Sequence, residues 1–109
     1  MKITRKTDQL LISENCETAD TFFSRFRGLM GRDSAGGGLL LQSCNSIHTF
    51  FMKIPIDVIY LDKDLKVLKV VHSMKPWRVD FPVFGADSVL ELESGRGREI
   101  QPGDVLCLS

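Results

Sequence analysis

The chain is 109 residues long, 43% apolar and 26% charged, with 14 basic residues against 14 acidic ones. That length suits one domain, spanning 1–109, and leaves no room for a second core. A formal net charge of zero lacks the cation excess with which nucleic-acid and acidic-membrane binders neutralise phosphate, so neither nucleic acid nor membrane is expected as a partner.

The run Leu10-Leu11-Ile12 is too short for a signal-peptide core, and no stretch approaches membrane-spanning length. A cytoplasmic location is expected. Residues 9–13 read as a first short strand. Phe22, Phe23, Phe26, Leu29 and Met30 then fall at helical spacing on one face, with Thr18 or Asp20 as the cap and Gly31 as the stop. Asp33 to Gly38 reads as a flexible loop. Gly36-Gly37-Gly38 is not a phosphate loop, because no Gly-Lys-Ser/Thr follows it.

Downstream the pattern is strand and turn. Leu39 to Leu41 is a short apolar strand, and Ile47 to Met52 is aromatic and β-prone. Ile56 to Leu61 is the most strand-like segment. Asp62-Lys63-Asp64 predicts a hairpin turn back into Lys66 to His72, with Val67, Lys69 and Val71 on one face. Residues 73–87 predict an ordered loop whose Trp77, Phe81 and Phe84 roof the core. In Ser88 to Glu93, Val89, Glu91 and Glu93 alternate with Leu90 and Leu92, which predicts a strand with one wet face. Pro102-Gly103 marks a tight turn before a closing strand, Val105 to Leu108. The fold class expected is mainly β: a compact β-sandwich, jelly-roll-like, or a partly closed barrel, with one or two short helices.

Three segments in order resemble the domain of unknown function 192 family. They are Arg25-Phe26-Arg27-Gly28-Leu29-Met30-Gly31-Arg32; Ser46-Ile47-His48-Thr49-Phe50-Phe51-Met52-Lys53 leading to Pro55-Ile56-Asp57; and Val89-Leu90-Glu91-Leu92 with Gly95 and Pro102-Gly103-Asp104. The resemblance implies a jelly-roll-like β-sandwich and no established activity. Many members carry Trp-Met where this chain has Phe51-Met52, and this chain falls in the branch with His48-Thr49 before the aromatic pair.

Four polar residues stand out in these segments. Arg27 and Arg32 flank a helix end and suit a bidentate clamp on a small anionic ligand. His48 and Asp57 suit an oriented acid/base pair if their strands are neighbours. The first reading is a non-catalytic ligand-binding or protein-interaction module, with Arg27, Arg32, His48, Asp57 and Trp77 as its site. One alternative is a small enzyme with His48 as acid or base, oriented by Asp57, although no nucleophile motif accompanies them. Another, by fold analogy, is a carbohydrate binder stacking on Trp77. No cofactor and no metal are expected. Cys16, Cys44 and Cys107 are odd in number and read as free thiols, and with His48 and His72 they lack the short paired spacing of a zinc site.

Overall fold

The computed structural model describes residues 1–21, 24 and 28–109. It is mainly β, with two separate sheets. Strands β1 (Ile3–Arg5), β2 (Leu11–Ser13) and β8 (Leu106–Leu108) form a three-stranded sheet in the order β2-β1-β8. Strands β3 (Glu17–Ala19), β4 (Leu39–Gln42), β5 (Ile56–Leu61), β6 (Val67–Met74) and β7 (Ser88–Glu93) form a five-stranded sheet in the order β3-β4-β7-β5-β6. Among the described residues only the β3–β4 strand pairing is parallel.

Both faces of the larger sheet are buried. On one face Leu40, Ile59, Leu61, Leu90 and Leu92 pack with Ile3, Ile12 and Leu106 of the small sheet. This is the sandwich. On the other face Leu39, Leu41, Val58, Tyr60 and Val89 pack beneath loop residues, chiefly Leu29, Ile47 and Met52. The domain therefore has three layers: small sheet, large sheet and a cover of loops. Two-sided burial explains why β5 is buried at all six positions and reads as an unbroken apolar run.

Several expectations are corrected by this arrangement. Glu91 does not lie on a wet face. It is 2% exposed, because β7 is central and covered on both sides. Ile47 to Met52 is not a strand of either sheet; it is an irregular loop with one bridge, His48 to Val79. Strand β6 does not hold Val67 and Val71 on one face. The partners shift from Leu61↔Val67 to Tyr60↔Lys69, and this bulge at Leu68 turns Val67 toward one core and Val71 toward the other. The glycine run is a packed turn, not a loose linker: a Cβ on Gly37 would collide with Asn15, and one on Gly38 would sit 2.8 Å from Leu92.

The expected helix lies mostly outside the described residues. The cap expected at Asp20 concerns those same residues; Thr21 and Ser24 are described, and they bond to each other reciprocally. The Ser24 N–H donates to Thr21 Oγ1 at 3.1 Å, and the Thr21 N–H donates to Ser24 Oγ at 3.0 Å. This is the reciprocal logic of a capping box. Thr18 is instead part of β3. Gly31 does adopt positive φ, at 74°, and Leu29 is buried. Among the described residues no helix is long and apolar enough to cross a membrane.

Candidate binding site

Two loop segments, 45–52 and 75–83, cover the outer face of the large sheet and run antiparallel to each other. The Val83 N–H donates to the Asn45 carbonyl at 2.9 Å, Asp80 to Ile47 at 3.0 Å, and Thr49 to Arg78 at 2.8 Å. Thr49 is the pin of this pair and has no exposed surface. Its hydroxyl donates to the Lys75 carbonyl at 2.6 Å and accepts the Arg78 N–H at 2.8 Å. Its carbonyl accepts the Trp77 N–H at 2.9 Å.

The second loop is also fixed to the sheet below. Tyr60, fully buried, donates its hydroxyl to Asp80 at 2.8 Å, and Lys69 reaches the same carboxylate at 3.0 Å. Burial works against ionisation of Asp80, but the hydrogen bonds from Tyr60 and Lys69 outweigh it and hold the carboxyl below its ordinary value. Burial pushes the Tyr60 phenol up, and the adjoining Asp80 carboxylate adds to that, so Tyr60 stays a donor.

This frame lifts aromatic side chains into solvent. Phe51 is 61% exposed and Trp77 is 56% exposed, with ring centroids 4.8 Å apart at an interplanar angle of 60°. Phe50 lies 6.0 Å from Trp77 and stacks on His48 at 5.3 Å. Val79 is exposed beside His48's bridge, and Phe81 and Phe84 are exposed further along the same loop. The expected roof over the core is thus an aromatic ledge. Core cover comes instead from Ile47, Met52 and Ala86. Phe51 and Trp77 both have positive φ, 63° and 65°, in a region that costs a residue with a side chain about 1–2 kcal/mol.

The expected site residues divide. Trp77 and His48 share the ledge through Phe50. His48 Nδ1 accepts the Phe50 N–H at 3.2 Å, which places the ring proton of the neutral form on Nε2. Asp57 is 1% exposed, and both of its oxygens are used by backbone donors: Ser73 at 2.8 Å, Gly95 at 3.0 Å and Gly97 at 2.8 Å. It stands beside Ile59 on the small-sheet side, whereas His48 belongs to the loop cover on the opposite side. The two do not meet. Arg32 donates to Glu17 Oε2 at 2.8 Å, at the rim of a cleft of about 340 Å³ lined by Glu17, Thr18, Thr21, Ser24 and Gly28 among others. Its charge also acts on Glu91, whose carboxyl burial pushes up to about 8 while Arg32 works against the rise. Arg27 lies outside the described residues. Gly31, next to Arg32, donates its N–H to the Phe51 carbonyl at 3.0 Å, so the Arg32 turn abuts the ledge.

Among the described residues no group of three or more His, Cys, Asp and Glu side chains is placed to hold a metal ion. Cys16, Cys44 and Cys107 form no disulfide among the described residues. Burial pushes the Cys16 thiol up to about 11.

Phe50, Phe51 and Thr49 were not among the site residues expected from the sequence. A signal was present: two adjacent aromatics cannot both face inward along an extended segment. Thr49 carried no such signal, since Thr is mostly exposed and its burial here is set by the loop above it.

Residues 2–108 match the model of a family, DUF192, described as Uncharacterized ACR. Among curated relatives, a UPF0127 protein of Thermococcus sibiricus is 36% identical over 96 residues, covering 83% of this chain and 62% of its own length. A UPF0127 protein of Pyrococcus horikoshii is 35% identical over 89 residues, covering 77% of this chain and 76% of its own length. The match thus spans less than two thirds of the first of these relatives. Among solved structures, a protein of unknown function from Novosphingobium aromaticivorans superposes with a TM-score of 0.85 at 23% identity, covering 99% of this chain and 84% of that one. A Sinorhizobium meliloti protein, assigned provisionally as a transcription regulator, superposes at 0.81 and 19% identity, covering 97% of this chain and 92% of that one. At these identities the likeness is one of fold.

Proposed function

The chain belongs to the domain of unknown function 192 family, a family of uncharacterised function, and from that footing we propose that it is a non-catalytic binding domain whose contact surface is the ledge of Phe50, Phe51 and Trp77. The observation that carries this reading is the pairing of strained backbone with exposed rings at Phe51 and Trp77. A fold shaped only by burial would turn such rings inward, where each contributes apolar burial. Here the hydrogen bonds of Thr49 hold them outward, and strain that surrounding structure enforces gathers at ligand-contacting positions. Exposed aromatic clusters on a firm frame are also where contact energy concentrates.

The acid/base reading has less support. That reading gave Asp57 the task of orienting His48, and Asp57 serves three backbone N–H groups on the other side of the large sheet. The Arg clamp is also weakened, because Arg32 is already bonded to Glu17.

A displayed random-peptide library selected against the folded chain tests the proposal. Expected binders perturb the amide signals of His48 to Met52 and Lys75 to Asp80, and lose affinity for Phe51→Ala by tenfold or more, about 1.4 kcal/mol. Binders that map elsewhere on the surface would overturn it. Exclusive recovery of ligands on an oligosaccharide array run in parallel would instead assign the ledge to sugar stacking on Trp77.

A further inference from the structure

The net charge of the whole chain is zero, but charge around the ledge is not balanced. The two segments that carry it, 48–53 and 75–81, contain the exposed cations Lys53, Lys75 and Arg78. Their one acidic residue, Asp80, is committed to Tyr60 and Lys69 beneath the loop. Asp33 approaches Lys53 at 3.5 Å, but both side chains are open to water, so solvent and salt screen that pair. The ledge is therefore an apolar centre with a basic rim.

The ring geometry narrows what fits. Phe51 and Trp77 meet at 60°, and Phe50 and Trp77 at 39°. Successive bases of a single strand stack on ring faces presented one after another. Rings that meet edge to face leave a notch, and a notch takes a side chain. Three cations would also neutralise few phosphates, and affinity for a nucleic-acid strand grows with the number neutralised.

We propose that the ledge recognises an acidic peptide segment, which packs a bulky apolar side chain into the corner formed by the touching rings of Phe51 and Trp77 while its carboxylates face Lys53, Lys75 and Arg78. This rests on the binding-domain reading above and adds the chemistry of the partner. Arg78 suits the part best, since its guanidinium can hold a carboxylate through two donors. Rim charges of this kind act mainly on encounter rate and salt dependence, while the notch supplies the anchor.

Trp77 is the one tryptophan in the chain, so its emission reports this site alone. The test titrates the protein with three synthetic peptides: a Leu-Phe pair flanked by Asp and Glu, the same peptide with Gln in place of the acids, and the same with Lys. The acidic peptide is expected to shift Trp77 emission to the blue and to bind about tenfold more tightly than the Gln peptide, because three screened contacts together shift Kd by about a decade. Added salt should erase that margin. The double variant Lys75→Glu with Arg78→Glu, both exposed positions, should reverse the preference toward the Lys peptide while its thermal midpoint stays unchanged. Equal affinity for all three peptides would overturn the charge inference and leave the ledge as a binding surface. Silence of Trp77 toward all three, with binding found elsewhere by amide shifts, would overturn both. A homopolymeric single-stranded oligonucleotide that binds more tightly than the acidic peptide would overturn the peptide assignment in favour of nucleic acid.

Discussion

Thr49 carries more of this site than any residue that touches solvent. Its hydroxyl bridges the Lys75 carbonyl and the Arg78 N–H, so both of those groups depend on one oxygen. Thr49→Val keeps the shape and removes the bridge. We expect a loss of about 1–3 kcal/mol in urea unfolding, the cost of leaving buried backbone groups unpaired, together with an altered Trp77 emission in the folded state. A Val variant with parental stability and emission would show that the loops are held otherwise. Glu91 makes a prediction of another kind. Burial raises its carboxyl to about 8 from an ordinary value of 4.5, with Arg32 opposing. Between those values the native state keeps a proton that the unfolded chain has released. Stability therefore falls as pH rises through that window, by at most about 1.4 kcal/mol per pH unit. Glu91→Gln should flatten the slope and be the more stable protein at about pH 8, as read from urea midpoints across the window. An unchanged slope would assign the pH dependence to other groups.

At the scale of elements, Asp57 ties strand β5 to the end of β6 and to the turn after β7, through Ser73, Gly95 and Gly97. Glycines two apart in that turn expose backbone N–H groups, and a buried carboxylate within an apolar run needs such donors. Asp57→Asn keeps one acceptor and turns an amide N–H toward existing donors. We expect a loss of about 2–3 kcal/mol, with faster amide exchange at Gly95 and Gly97 than elsewhere in the large sheet. Uniform loosening would instead mark Asp57 as a general core residue. The elements legible in the sequence were those with a local cause. The β5 apolar run, the Asp62 turn and the Gly103 turn each follow from residues within a few positions. Strands β1 and β3 were not legible, because each has three residues and is defined by partners far along the chain. The inward turn of Glu91 was hidden for a related reason: alternation shows that a strand has two faces, but what covers each face is decided elsewhere.

For the molecule as a whole, the sequence indicated a sandwich-like β domain, and the two sheets bear that out. The residues of the site were only half legible. Trp77 and His48 were singled out and share the ledge, while Asp57 does not join His48 because it serves backbone amides, and of the expected pair of arginines Arg32 is bonded to Glu17 and Arg27 lies outside the described residues. Phe50 and Phe51 escaped notice because a hydrophobic residue in a sequence is read as core until its backbone conformation is known, and a positive φ is a tertiary outcome. The pairing of β1 with β8 has a consequence of its own. Lys2 and Ser109 exchange backbone hydrogen bonds of 2.7 and 2.9 Å, and β2 reaches β8 only through β1. On a ribosome, β1 and β2 must wait for β8. Until Leu106 emerges, Ile3 and Ile12 lack one wall of the core they share, and a nascent chain carries that unfinished apolar surface while everything from β3 to β8 is made.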